Sequence, residues 1–277
     1  MTDFDEYGAY ESLSLDTDDH RWAFGTGFAD PLAGIDVTVP AGVDAAALAR
    51  QCLALGDDAL IYSHRLQQWV TRAPELEEET ALANIALDLL GQARMLLTRA
   101  GQAEGNGRDE DRLAFFRDER EFRNVRLVER ADADFAELTA RLLIFSAWRL
   151  AVFQALTTNE DPVLAAIAAK AVKELTYHRD YAAGWVIRLG DGTDLSHAKM
   201  QAAVETLWPL VGELNLGKEA DAALDAVFAA ATLTRPSAVP AATVAGKAGR
   251  DGTHTEAMGY ILAELQSVAR AHPDATW

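Results

Sequence analysis

The chain has 277 residues, a formal charge of −18 and a sequence pI of about 4.6, which excludes the electrostatics of nucleic-acid or anionic-lipid binding. Its one cysteine, Cys52, excludes an internal disulfide and any cysteine-built zinc or iron–sulfur site. No stretch reads as a membrane span or a secretory leader, and a composition rich in Ala and Leu predicts one large helical domain in a cytoplasmic protein.

Residues 1–42 are acidic, rich in Gly and Asp and broken by Pro31 and Pro40, so they are expected to form a flexible arm; the weak alternation from Ile35 to Val39 would leave a strand with nothing to pair with. The helical domain is expected over 43–277. Asp44 can cap a helix running to about Val70, with Leu53, Leu55, Leu60, Ile61 and Leu66 on its apolar side. Pro74 starts the next helix, Glu77, Glu78 and Glu79 complement the positive end of its dipole, and a flexible Gly101–Gly107 loop ends it. This second helix is apolar almost all round, yet Asn84, Asp88 and Gln92 recur every fourth residue and stack on one side.

Glu110–Phe116 reads as a short amphipathic piece. The run Arg117–Arg130 is dense in both signs of charge and reads as a solvated face or a set of weak ion pairs. Asp134 opens a long helix whose middle, Leu142–Phe153, is too apolar for a surface and asks for burial on several sides. Asp161-Pro162 supplies a cap and a first-turn proline for a helix to Leu189. Helices over 196–214, with Pro209 as a kink, and over 218–233 follow, then a Pro, Ala and Gly-rich loop and a last helix over 255–271. Two hairpins of long helices joined by an extended crossover predict an all-α, ferritin-like four-helix bundle with additional C-terminal helices.

Bundles of that kind commonly hold two metal ions with a Glu from each of two helices and a Glu-x-x-His from each of the other two. No Glu-x-x-His occurs here. Three positions before His20, His64, His178, His197, His254 and His272 stand Thr17, Ile61, Leu175, Asp194, Asp251 and Ala269. The matches Asp194–His197 and Asp251–His254 sit at loop-to-helix junctions, where capping or chance accounts for them. What remains is Asp57 and Asp58 on the first helix, Asn84, Asp88 and Gln92 on the second, and Glu174 and His178 on the fourth, the last two spaced as an ordinary helix pair. These seven are expected to form a metal-free polar seam at the place a di-iron site would occupy, a buried Asp88 finding its partners in that network.

The blocks Leu55-Gly-Asp-Asp-Ala-Leu-Ile61, Ala73-Pro-Glu-Leu-Glu-Glu78, Leu82-Ala-Asn-Ile-Ala-Leu-Asp-Leu-Leu-Gly-Gln-Ala-Arg94, Arg117-Asp-Glu-Arg-Glu-Phe-Arg-Asn124, Trp185-Val-Ile-Arg-Leu-Gly-Asp-Gly-Thr193, His254-Thr-Glu256 and Leu262-Ala-Glu-Leu-Gln266 occur in one order from about residue 50 to the C-terminus. They resemble the C-subunit family of bacterial phenylacetyl-CoA epoxidase. The resemblance implies a ferritin-like fold and a place in a multicomponent monooxygenase that epoxidises the ring of phenylacetyl-CoA in phenylacetate catabolism. It implies a structural chain without its own cofactor, paired with an A subunit that holds the di-iron centre. A B subunit and a reductase with flavin and an iron–sulfur cluster would complete the assembly. The residues leave a rival reading open: a free-standing metal oxidase or oxygenase using Asp57 or Asp58, Asp88, Glu174 and His178.

Overall fold

Asp44 opens the first helix as expected, its carboxylate accepting from the backbone N–H groups of Ala46 and Ala47. The computed structural model describes residues 32–237 and 243–275. Within them lie eight α-helices and no strand: α1 (Ala45–Gln67), α2 (Leu76–Glu104), α3 (Glu110–Phe115), α4 (Phe135–Leu156), α5 (Pro162–Gly190), α6 (Asp194–Val211), α7 (Gly217–Ala230) and α8 (Glu256–Ala271). Asp134 and Asp161 cap α4 and α5, and α6 continues through Pro209. Residues 1–31 of the expected arm lie outside the described residues, and Ile35–Val39 forms no strand.

The helix pairs α1/α2 and α4/α5 pack as hairpins, and α2 packs on α5. Glu78 on α2 accepts from Tyr181 and Trp185 on α5, while Gln92 meets Glu174, so these two helices run antiparallel. On the other side, the Arg149 Nη1 of α4 donates to Leu55 O of α1, and the Phe145 ring meets Tyr62 edge-on with centroids 4.7 Å apart, so α1 and α4 also run antiparallel. Arg99 near the end of α2 is paired with Asp161, the cap of α5. The end of α2 therefore lies beside the end of α4, and the crossover over 105–134 must travel the length of the bundle to start α4 at the other end. That is the ferritin-like connection.

Gly101 is no part of a flexible loop, because α2 continues to Glu104. A Cβ at Gly101 would lie 1.9 Å from Arg108 O, so the glycine lets the crossover fold back against its own helix. Further on, α6 and α7 cover α4 and α5, and α8 lies over α3, the crossover and α1. Every residue of α4 from Ala136 to Leu150 is buried, which meets the demand its sequence made. By contrast, α2 leaves Leu87 and Leu90 57% and 44% exposed, and α5 leaves Tyr177 exposed as well.

Candidate functional site

The fourfold spacing on α2 is matched on α5, and this decides how the polar seam is built. Gln92 Nε2 donates to Glu174 Oε2 at 2.9 Å, and His178 Nε2 meets Asp88 Oδ2 at 3.0 Å. Because 88 and 92 face 178 and 174 on an antiparallel neighbour, each pair forms a rung between helices. Glu174 and His178 therefore do not pair with each other, as their spacing suggested; Glu174 takes Lys170 as its intrahelical partner. The seam also extends to the other hairpin: Gln92 Oε1 accepts from Arg149 Nε at 3.0 Å, and Arg149 Nη1 reaches Leu55 O at 3.1 Å.

The expected line is graded rather than buried throughout. Asn84 is exposed, the Asp88 side chain is 37% exposed, and Gln92 is buried together with Arg149 and the His178 side chain. Burial pushes the Arg149 pKa down to about 10, with Asp58 and Glu174 favouring its charged form and Arg250 opposing it.

Asp57 and Asp58 are fully buried on α1 but do not join Asn84, Asp88 and Gln92 in one network. They hold the crossover instead. Asp57 receives both terminal nitrogens of Arg117 and the backbone N–H of Arg123 at 2.8 Å. Asp58 receives Arg250 at 2.7 and 3.0 Å and the Val125 N–H at 2.9 Å. Desolvation raises the Asp57 pKa, and the Arg117 charge and hydrogen bonds work against it.

A third buried carboxylate completes this clamp. Glu129 accepts from Thr255 N at 2.7 Å, Thr255 Oγ1 at 2.6 Å and Asn124 Nδ2 at 2.8 Å, and it meets His254 Nδ1 at 2.7 Å. In the Asp251–His254 match, Asp251 does cap a turn, accepting from Ala248 N, while the His254 side chain is buried separately against Glu129. His197 is the one that sits at a helix end, Nδ1 at 2.7 Å from Gly190 O. Of the two readings of Arg117–Arg130, ion pairs hold for Arg117 with Asp57 and Arg126 with Glu213, and these are buried rather than weak surface pairs, while 118–121 are exposed. Gly249 brings the C-terminal strap onto the crossover, since a Cβ there would lie 2.2 Å from Asn124 O.

Sequence reasoning gave no role to Arg117, Arg149, Arg250 or Glu129 and no partner to His254. A usable signal existed: two adjacent acids in an apolar helix require buried cations. The charge-dense crossover, with Arg250 beyond it, was the place to look for them.

The residues at the bundle centre do not fit a di-iron pair. No group of three or more His, Cys, Asp or Glu side chains is close enough to hold a metal ion among the described residues. An amide and a guanidinium stand where inward ligands would be needed, and Asp57 and Asp58 are occupied by arginines and backbone N–H groups. Cys52 is buried and its thiol is pushed up to about 12 by desolvation, which leaves no thiolate for chemistry near neutral pH. What the arrangement can do is hold helices in register. No helix among the described residues is long and apolar enough to cross a membrane.

The sequence matches the family described as "Phenylacetic acid catabolic protein" over residues 37–232 and 215–277. It is 45% identical over 245 residues to the protein of Escherichia coli (strain K12) named as the C subunit of 1,2-phenylacetyl-CoA epoxidase, covering 81% of this chain and 97% of that one.

Proposed function

The chain belongs to the phenylacetic acid catabolic protein family, and we propose that it serves there as the structural C subunit of a phenylacetyl-CoA epoxidase. In this reading it turns over no substrate and binds no iron. It stabilises and positions an A subunit that holds the di-iron centre, in an assembly with a B subunit and a reductase bearing flavin and an iron–sulfur cluster. The subunit role follows the name of the relative, which is itself one part of a multi-subunit epoxidase.

The observation that supports the non-catalytic role is the hydrogen bonding between helices at the bundle centre. Gln92 accepts from Arg149 and donates to Glu174, and Asp88 bonds to His178, across the helices that would have to aim ligands at a metal. The exposed Leu87, Leu90 and Tyr177 supply an apolar surface for a partner, as subunit interfaces require. The rival reading needs Asp57 or Asp58 beside Asp88, Glu174 and His178, and the clamp directs those two carboxylates to Arg117 and Arg250 instead.

The test is to purify the chain alone and with the A subunit and to measure iron in each. Iron is expected only with the A subunit present; stoichiometric iron and oxygen-dependent turnover by the chain alone would refute the structural role. Asp88→Leu should lower stability or partner binding and leave the iron of the complex unchanged, whereas iron loss would make Asp88 a ligand.

A further inference from the structure

The C-terminal strap over 249–255 is fastened to the crossover by a histidine whose side chain is fully buried. His254 Nδ1 lies 2.7 Å from Glu129 Oε1, and His254 Nε2 lies 3.2 Å from Phe122 O. A carbonyl oxygen only accepts, and so does an ionised carboxylate, whereas a neutral imidazole carries one N–H and one lone pair. With a neutral ring beside a carboxylate, one of the two contacts would set lone pair against lone pair. Both are satisfied when the pair holds one proton more than a carboxylate and a neutral imidazole together.

The other donors around Glu129 decide which partner carries that proton. Thr255 N, Thr255 Oγ1 and Asn124 Nδ2 already donate to the carboxylate at 2.7, 2.6 and 2.8 Å, and three such bonds favour its ionised form. The proton therefore belongs to His254, as an imidazolium donating from both nitrogens. The cations of the neighbouring elements are committed elsewhere: Arg65 of α1 to the Glu129 carbonyl and Gln68, Arg117 and Arg126 of the crossover to Asp57 and Glu213, and Arg250 of the strap to Asp58. Among the described residues, His254 is the one cation bonded to the Glu129 carboxylate.

We infer that Glu129 and His254 form a proton-dependent latch, which holds the strap and the start of α8 on the crossover while the imidazolium proton is bound and releases them as it is lost. Thr255, the cap residue of α8, is fastened by the same carboxylate. Further along α8, Gln266 and Arg270 donate to Ala114 O, Phe115 O and Arg117 O, bonds to carbonyls that do not titrate. Two exposed pairs also reach α8: His64 of α1 meets Glu264 at 3.1 Å, and Arg270 meets Asp118 at 3.3 Å. A freed imidazole is mostly neutral above about pH 7, so the latched form binds a proton that the released form does not. Raising the pH therefore favours release, by up to about tenfold per pH unit.

The experiment is hydrogen exchange of the full-length chain, read by mass spectrometry at about pH 7 and about pH 9 and corrected for the intrinsic pH dependence of exchange. Opening of Glu256–Ala271 is expected to rise by about tenfold or more across that interval relative to Phe135–Leu156, which carries none of these contacts. H254Q, which has no ring proton to lose, should open α8 at both pH values without the step. H64Q, which removes only the exposed pair, should keep it. A flat response in the unaltered chain, a step that survives in H254Q, or one that disappears in H64Q would overturn the latch.

If H254Q does not fold, nitrogen NMR of the unaltered chain at about pH 7.5 is the deciding measurement, with the His254 ring assigned through its own backbone. Two protonated ring nitrogens support the latch. A neutral tautomer, with one nitrogen bare, overturns it.

Discussion

Helices α2 and α4 both read as apolar almost all round, yet the protein covers them differently. The second hairpin receives α6 and α7, and α4 is buried from Ala136 to Leu150. The first hairpin receives α8 over α1 and the crossover, and α2 is left with α1, α5 and α3 as neighbours. Its Leu87 and Leu90 therefore remain exposed. An apolar helix demands cover, but only the placement of the later helices shows whether the chain supplies it. Fully burying a leucine that starts in water is worth about 1.5–3 kcal/mol, and the half-exposed Leu87 and Leu90 retain part of that gain.

The contrast is broken most directly in α4. Phe145 is fully buried, edge-on to Tyr62 and tilted against Trp148. Phe145→Ala should cost about 3–5 kcal/mol in urea unfolding of the isolated chain, because the cavity has helices on every side and little room to collapse. A cost below about 1 kcal/mol would mean that α4 is not the packed centre.

A smaller, pH-dependent effect is expected where the crossover feeds α4. Asp132 pairs with Arg141, and both side chains are fully buried. Desolvation pushes the Asp132 carboxyl from 3.8 to about 6, against the pull of Arg141. A folded value above the unfolded one means the folded state holds the proton more tightly. The favourable contribution is complete below about 4 and lost as pH rises through about 6, a swing of up to about 3 kcal/mol. The stability of the unaltered chain relative to Asp132→Asn should therefore fall over that interval. A flat difference between the two unfolding curves would show that Arg141 offsets the desolvation of Asp132 in full.

Much of the fold was legible because it rests on local rules. Asp44, Asp134 and Asp161 cap the helices they were expected to cap, and the unequal connections gave two hairpins and a crossover. The polar seam was only half legible, and helix geometry explains why. A step of four residues overshoots a full turn by about 40°, so from Asn84 to Gln92 the line rotates by about 80°. It starts in water at Asn84 and ends in the core at Gln92. Spacing alone also could not choose between Glu174 pairing with His178 along α5 and both reaching across to α2. The clamp was harder still, since Asp57 and Asp58 meet partners some 60 and 190 residues away, a pairing that only the path of the crossover creates.

The gentlest substitution in stability terms says most about the difference between the two helices. Leu87→Asp with Leu90→Asp places charge where α2 already faces water, so the isolated chain should unfold within about 0.5 kcal/mol per site of the unaltered one. If that surface is the one a di-iron partner covers, the same pair should weaken association by tenfold or more, since two carboxylates would be desolvated without cations. Pull-down or calorimetric titration with the A subunit reads this directly. Unchanged affinity would move the interface elsewhere on the bundle. A large loss of stability in the isolated chain would show instead that α2 is covered from within, as α4 is.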